Sequence, residues 1–95
     1  MKTNTKPLFS LGQTLITPGA LEELQKASTS GLELLARHLS GDWGDLPEED
    51  KQQNELALKK GFRIVSAYNL PTGERLWVIT EGDRSATTIV KPEEY

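Results

Sequence analysis

His38-Leu39-Ser40-Gly41-Asp42-Trp43-Gly44-Asp45-Leu46 decides how this chain is read. Helical periodicity runs up to this stretch and restarts after it, and a period of two takes over from Phe62 onward. Its two glycines, two aspartates and tryptophan form either a turn pinned by a buried indole or the floor of a binding site. A lone indole without aromatic neighbours favours the turn. Gly41 ends the helix before it, since glycine enters the left-handed conformation past a helix end at least cost. Asp45 with Glu48 has capping-box spacing, with Leu46 and Pro47 in the first turn of the next helix.

Working back from the stretch, Ser30 and Glu33 make a capping box that opens a helix. Its apolar stripe is Leu32, Leu35, Ala36 and Leu39 at i, i+3, i+4 and i+7. Thr17-Pro18 starts an earlier helix, with Thr as N-cap and Pro where no amide proton is needed. Ala20, Leu21, Leu24 and Ala27 form its stripe, it ends near Ser28, and the two helices are expected to form a hairpin. Phe9, Leu11, Thr14, Leu15 and Ile16 make a β-prone piece broken by Gly12, read as an extended segment or a bulged edge strand. Residues 1–7 are polar and aperiodic and read as a flexible arm, leaving 8–95 as one domain.

Working forward, a third helix runs from Glu48 to about Lys60. Acids sit in its first turn, Lys59 and Lys60 in its last, and Gly61 closes it. Only Leu56, Ala57 and Leu58 can anchor it. Phe62–Leu70, Arg75–Glu81 and Ala86–Lys91 read as three strands, separated by Pro71-Thr72-Gly73 and Gly82-Asp83-Arg84. A type I turn with a left-handed Gly73 sets Leu70 opposite Glu74 and Tyr68 opposite Leu76. Extending that register places Phe62, Ile64, Tyr68, Leu70, Leu76, Val78 and Val90 on one face. Val65, Ala67, Trp77, Ile79 and Ile89 fall on the other. Both faces are apolar, whereas an antiparallel sheet with one wet face alternates cleanly. A cover is therefore expected, from the N-terminal segment, a helix or another molecule.

The chain has 95 residues, a formal charge of -3 and no cysteine. That length supports one core without staples. The missing cysteines remove thiolate catalysis, cysteine-based zinc sites and disulfides. Scattered basic residues and a net negative charge argue against direct binding of nucleic acid. No apolar run approaches a membrane span, and Ser10, Gly12, Gln13 and Thr14 interrupt any signal-peptide core, so a cytoplasmic location is expected.

The acids Asp42, Asp45, Glu48, Glu49 and Asp50 crowd one region but lack the calcium-loop spacing, so capping explains them and no metal is expected. His38, Ser40 and Asp42 are the residue types of a hydrolytic triad, yet residues this close at a helix end do not face one another. His38 reads as a helix C-terminal cation or a surface residue. Glycine-rich phosphate loops are absent, and no cofactor is expected.

Thr17-Pro18-Gly19-Ala20-Leu21, His38 to Gly44, Tyr68 to Trp77 and Thr80 to Ser85 together resemble a family of small uncharacterised bacterial proteins. Its members are similar in length and associated with plasmids and other mobile elements. Some are named plasmid-related protein or restriction-system subunit. The resemblance implies a mobile-element setting and supplies no catalytic residue. A methyltransferase subunit does not fit, because the nucleotide-binding sheet and its glycine loop are missing.

The expected fold is α+β: three helices from the N-terminal half packed on a three-stranded antiparallel meander, with Phe9–Ile16 a candidate extra strand. The expected function is a non-catalytic interaction module binding a protein partner, or itself as a homodimer, through the sheet. Val65, Trp77, Ile79 and Ile89 would form the contact surface, joined by Asp83 and Arg84 at the second hairpin tip. The alternatives are an acidic antagonist of a host nucleic-acid-binding defence protein and a small carboxylate-based hydrolase using acids around Asp42 to Asp50.

Overall fold

The structure, a computed structural model, describes residues 7–95. All of the expected arm except Pro7 therefore lies outside the described residues. In order along the chain come β1 (Gln13–Ile16), α1 (Pro18–Lys26), α2 (Gly31–Leu39), α3 (Glu48–Lys60), β2 (Ile64–Asn69), β3 (Arg75–Thr80), β4 (Ala86–Val90) and a 3-10 turn (Pro92–Glu94). The fold is α+β, but the sheet has four strands in the order β1-β4-β3-β2, not three. β1 is the candidate extra strand, and it pairs parallel to β4, so the sheet is mixed.

The helix starts follow local chemistry. Thr17 accepts a hydrogen bond from the Ala20 amide at 3.2 Å, and Ser30 accepts one from the Leu32 amide at 3.1 Å. Beyond α2, Gly41 takes φ +88°, its amide bonding His38 O and the Asp42 amide bonding Arg37 O. This paired arrangement satisfies the last carbonyls of the helix. Asp45 does not cap α3. The cap position is Pro47, and it makes no side-chain cap bond. A residue that precedes proline is pushed out of the helical region, so Leu46 cannot be a first helical residue and the helix waits for Glu48.

α1 lies closest to β4, α2 to β3 and α3 to β2, so the first two helices rest on the sheet more than on each other. Ala20, Leu24, Leu34 and Leu35 bury against Tyr68, Leu70, Leu76, Val78 and Ile89. The stripe of α2 is rotated by one residue from the expected one. Leu32 is 77% exposed, and the buried residues are Leu34, Leu35 and His38. Counting apolar residues alone hides a stripe whose last member is histidine. Likewise α3 buries Asn54 and Ala57, while Leu56 is exposed.

β2 and β3 pair as expected, with Tyr68 opposite Leu76, the Leu70 amide bonded to Glu74 O, and Gly73 at φ +96°. The register of β4 differs: Trp77 faces Val90, and Val78 faces Ile89. Residues 82–85 make a loop one residue out of phase with the expected extension, and a one-residue slip exchanges the faces. Ile89 therefore belongs to the helix-covered face, where it is fully buried, and Val90 takes its place beside Trp77.

The 38–46 stretch closes the free edge of β2. Trp43 O accepts from the Ala67 amide at 3.2 Å, the Asp45 amide donates to Ala67 O at 2.7 Å, and Asp45 Oδ2 accepts from the Asn69 amide at 3.1 Å. Gly44, at φ +81°, lies so close that any Cβ there would strike the Ala67 carbonyl and the Tyr68 ring. Asn54 of α3 continues the edge, donating to Val65 O at 2.8 Å and accepting from its amide at 3.2 Å. Trp43 is 4% exposed, packs with Ala57 and Ile64, and donates its indole N–H to Glu55 at 3.0 Å. It is the turn plug.

Candidate interaction surface

The period-two pattern of β2, β3 and β4 sorts the sheet into two unlike faces. The inner face is wholly buried beneath the helices. The outer face carries Val65, Ala67, Trp77, Ile79, Thr88 and Val90, and the helical packing lies on the opposite side of the sheet. Ala67, Ile79 and Val90 are nevertheless buried, at 0%, 1% and 4% exposure, while Val65, Trp77 and Thr88 are half-buried.

The element that reaches this face is the strap Pro92–Tyr95, whose 3-10 turn lies against β3. Tyr95 meets the Trp77 ring edge-on at 5.9 Å between centroids, and the Arg63 guanidinium stands 5.7 Å from the Tyr95 ring centre. Arg63 also donates a hydrogen bond to the Tyr95 hydroxyl. Glu94 Oε1 accepts from the Thr17 hydroxyl at 2.7 Å and the Lys91 amide at 2.9 Å. Those contacts hold its carboxyl below the usual range, the Thr17 hydroxyl contributing most. Lys91 pairs with Glu93 at 3.1 Å and with Glu23 at 3.5 Å. Beside this face, Leu46, Asp50, Gln53, Asn54, Arg63 and Val65 line an open groove of about 220 Å³.

The residues expected to form the contact surface therefore separate. Val65 and Trp77 share the outer face and remain half-exposed, Ile79 is floor beneath them, and Ile89 is core. Asp83 is exposed at the hairpin tip, where its carboxylate accepts from the Ser85 amide at 3.0 Å. Arg84 is a clamp rather than a recognition residue. It donates to the carbonyls of Ala57 at 3.0 Å and Phe62 at 2.7 Å, and its guanidinium lies 5.6 Å from the Phe9 ring centre.

The acids from Asp42 to Asp50 do not converge. Asp42 Oδ2 accepts from Arg37 at 2.6 Å, a contact that holds its carboxyl below the ordinary value. Asp45 is tied to β2. Among the described residues no three His, Asp or Glu side chains are grouped to hold a metal ion.

His38 overturns its expected surface position. It is fully buried between α2 and the sheet, with Nδ1 2.6 Å from Ser66 Oγ and Nε2 2.8 Å from Thr80 Oγ1. Thr80 Oγ1 is 2.7 Å from Thr87 Oγ1, which donates to Leu11 O at 2.8 Å. A carbonyl only accepts, so the Thr87 proton is committed to Leu11 and Thr80 must donate to Thr87. Thr80 then accepts from Nε2–H, and Ser66 donates to Nδ1. The ring is thus the neutral Nε2–H tautomer, and burial, with a smaller effect of the Arg84 charge, pushes its pKa down to about 4. Ser66 beside His38 has the residue types of a nucleophile and its base, but both are fully buried and neither presents surface to solvent. Part of the signal was present in the sequence: Ser66 and Thr80 share the Tyr68, Leu76 and Val78 face in the expected register, and buried hydroxyls need a polar partner, whereas Thr87 joins them only through the actual register of β4.

No protein-family model, curated protein or solved structure matches the chain. Among the described residues no helix is long and apolar enough to cross a membrane.

Proposed function

We propose that this chain is a small, non-catalytic, cytoplasmic interaction module that binds a protein partner, or itself, through the outer face of its sheet. One observation carries the reading: on the face opposite the helices an aromatic pair stands over an apolar floor, with Trp77 half-buried and Tyr95 62% exposed. Aromatic residues with one wet side and an apolar body are the usual anchors of protein contacts. The mobile-element setting expected from the sequence's resemblance to plasmid-associated proteins is part of the same proposal. The hydrolase reading has no support in the acids, which are exposed, Asp42 being held by Arg37 and the Gly44 amide and Asp45 by the Asn69 amide.

Light scattering at micromolar concentration, beside capture from the native host, tests this on wild type and on Thr88→Arg. That substitution charges the face without emptying it. The expected result is a dimer or a captured protein that is lost in a Thr88→Arg chain melting like wild type. A wild type that is monomeric and captures nothing, or a partner that survives both Thr88→Arg and Trp77→Glu, overturns the proposal.

A further inference from the structure

The strap is the chain's own ligand, and its chemistry describes what the outer face accepts. Two subsites stand side by side. Thr17 and Gly19 receive the Glu94 carboxylate, with Lys91 beside it, and a Cβ added at Gly19 would collide with that carboxylate. Trp77 and Arg63 receive the Tyr95 side chain, the two aromatic rings inclined at 74° and Arg63 donating to the hydroxyl. Such an arrangement selects an acidic residue followed immediately by an aromatic one.

The strap's contacts with these subsites lie open to solvent. Tyr95 is 62% exposed, and the contacts of Glu94 are exposed to solvent. Exposed charge pairs are screened and contribute little, so a competitor need displace little. The strap contributes no residue to the groove lining, although Arg63 belongs to both. Two copies exchanging straps would regain the contacts each already makes and nothing more. A longer segment from another protein would make those contacts and continue past Arg63 along Leu46, Gln53 and Val65.

Resting on the sheet-face reading above, we infer that Thr17, Gly19, Arg63 and Trp77 form a receptor for an extended partner segment bearing an acidic residue followed by an aromatic one. The strap Pro92–Tyr95 occupies this receptor in cis and must be displaced.

The test uses the full chain with Glu94→Ala and Tyr95→Ala, and an acetylated peptide Lys-Pro-Glu-Glu-Tyr as probe. The Trp77 indole N–H is followed by NMR, with the Trp43 indole, bonded to Glu55, as an internal check that the fold is kept. The expected result is a saturable shift of Trp77 alone. Affinity should be at least about tenfold higher than in wild type, because a receptor closed nine-tenths of the time binds tenfold more weakly. Replacing both peptide glutamates with glutamine should abolish binding, whereas adding Gly19→Ala to the double variant should only weaken it, because the carboxylate it meets ends a flexible side chain. A Trp77 signal that ignores the peptide, equal affinity in wild type, or a dimer formed by strap exchange overturns the inference. If Thr88→Arg still abolishes a contact of the outer face, the sheet-face reading survives with a different occupant. If neither Thr88→Arg nor Trp77→Glu does, both fall.

Discussion

His38 is held at both ring nitrogens by hydroxyls from two strands, and its protonation would break the bond in which Nδ1 accepts. With a folded pKa of about 4 against an ordinary 6.5, the unfolded chain takes the proton first as pH falls. The stability conferred by the neutral ring is therefore complete above pH 6.5 and drains away between 6.5 and 4, by about 3 kcal/mol in all. Urea midpoints at pH 7 and pH 5 should show most of that loss in wild type and none of it in His38→Gln. A wild-type midpoint that stays flat to pH 5 would exclude a buried neutral ring. At this scale the sequence was most legible where one residue's conformation decides: Thr17, Ser30, Gly41, Gly61 and Gly73 do what their types require. His38 was illegible because an imidazole is neutral or charged according to its surroundings, which are supplied by residues 28 and 42 positions away.

Among the elements, β2 is an edge strand that does not behave as one. Its outward amides and carbonyls are taken by the 38–46 stretch and by Asn54, which leaves no template for another chain to pair with there. Asn54→Ala should cost about 1–3 kcal/mol, the penalty for stranding buried backbone groups. Hydrogen exchange at the Val65 amide should accelerate in that variant, beyond the general loss of stability, while amides bonded to β3 follow global unfolding. Unchanged exchange at Val65 would mean that Asn54 fills space without pairing. The sequence marked 38–46 as the place where the architecture turns, yet assigned Asp45 to a helix cap. Its true partner, the Asn69 amide, lies 24 residues on and cannot be inferred from spacing. The β4 register failed for a related reason, since a four-residue loop such as 82–85 leaves alignment to its own geometry, whereas Pro71-Thr72-Gly73 dictated its turn.

For the whole molecule, the last join is the longest. Gln13 pairs with Ala86, so β1 docks only after most of the chain has been brought back beside it, and closing so long a loop carries its full entropy. A candidate strand at Phe9–Ile16 was visible in composition, but no local signal could name a parallel partner this distant. Gly12, at φ +65°, makes the docking possible because a Cβ there would strike the Ser85 carbonyl. Gly12→Ala should therefore release β1 and leave the three-stranded meander with its helices. Protection from exchange should vanish at the Gln13 and Thr17 amides, which donate to Ser85 and Ile89, and persist in β2 and β3. Simultaneous loss everywhere would show that the fourth strand is indispensable to the rest.

The row of hydroxyls between His38 and Leu11 has a direction, and the direction starts in the segment that leads into β1. Thr87 has a single proton, and only the Leu11 carbonyl compels it to point that way. Without that carbonyl the proton could turn back toward Thr80, Thr80 toward His38, and the ring would be free to carry its hydrogen on either nitrogen. The chain's one imidazole thus works as a gauge: its tautomer, legible in the shifts of its two nitrogens, registers whether the segment leading into β1 is in place.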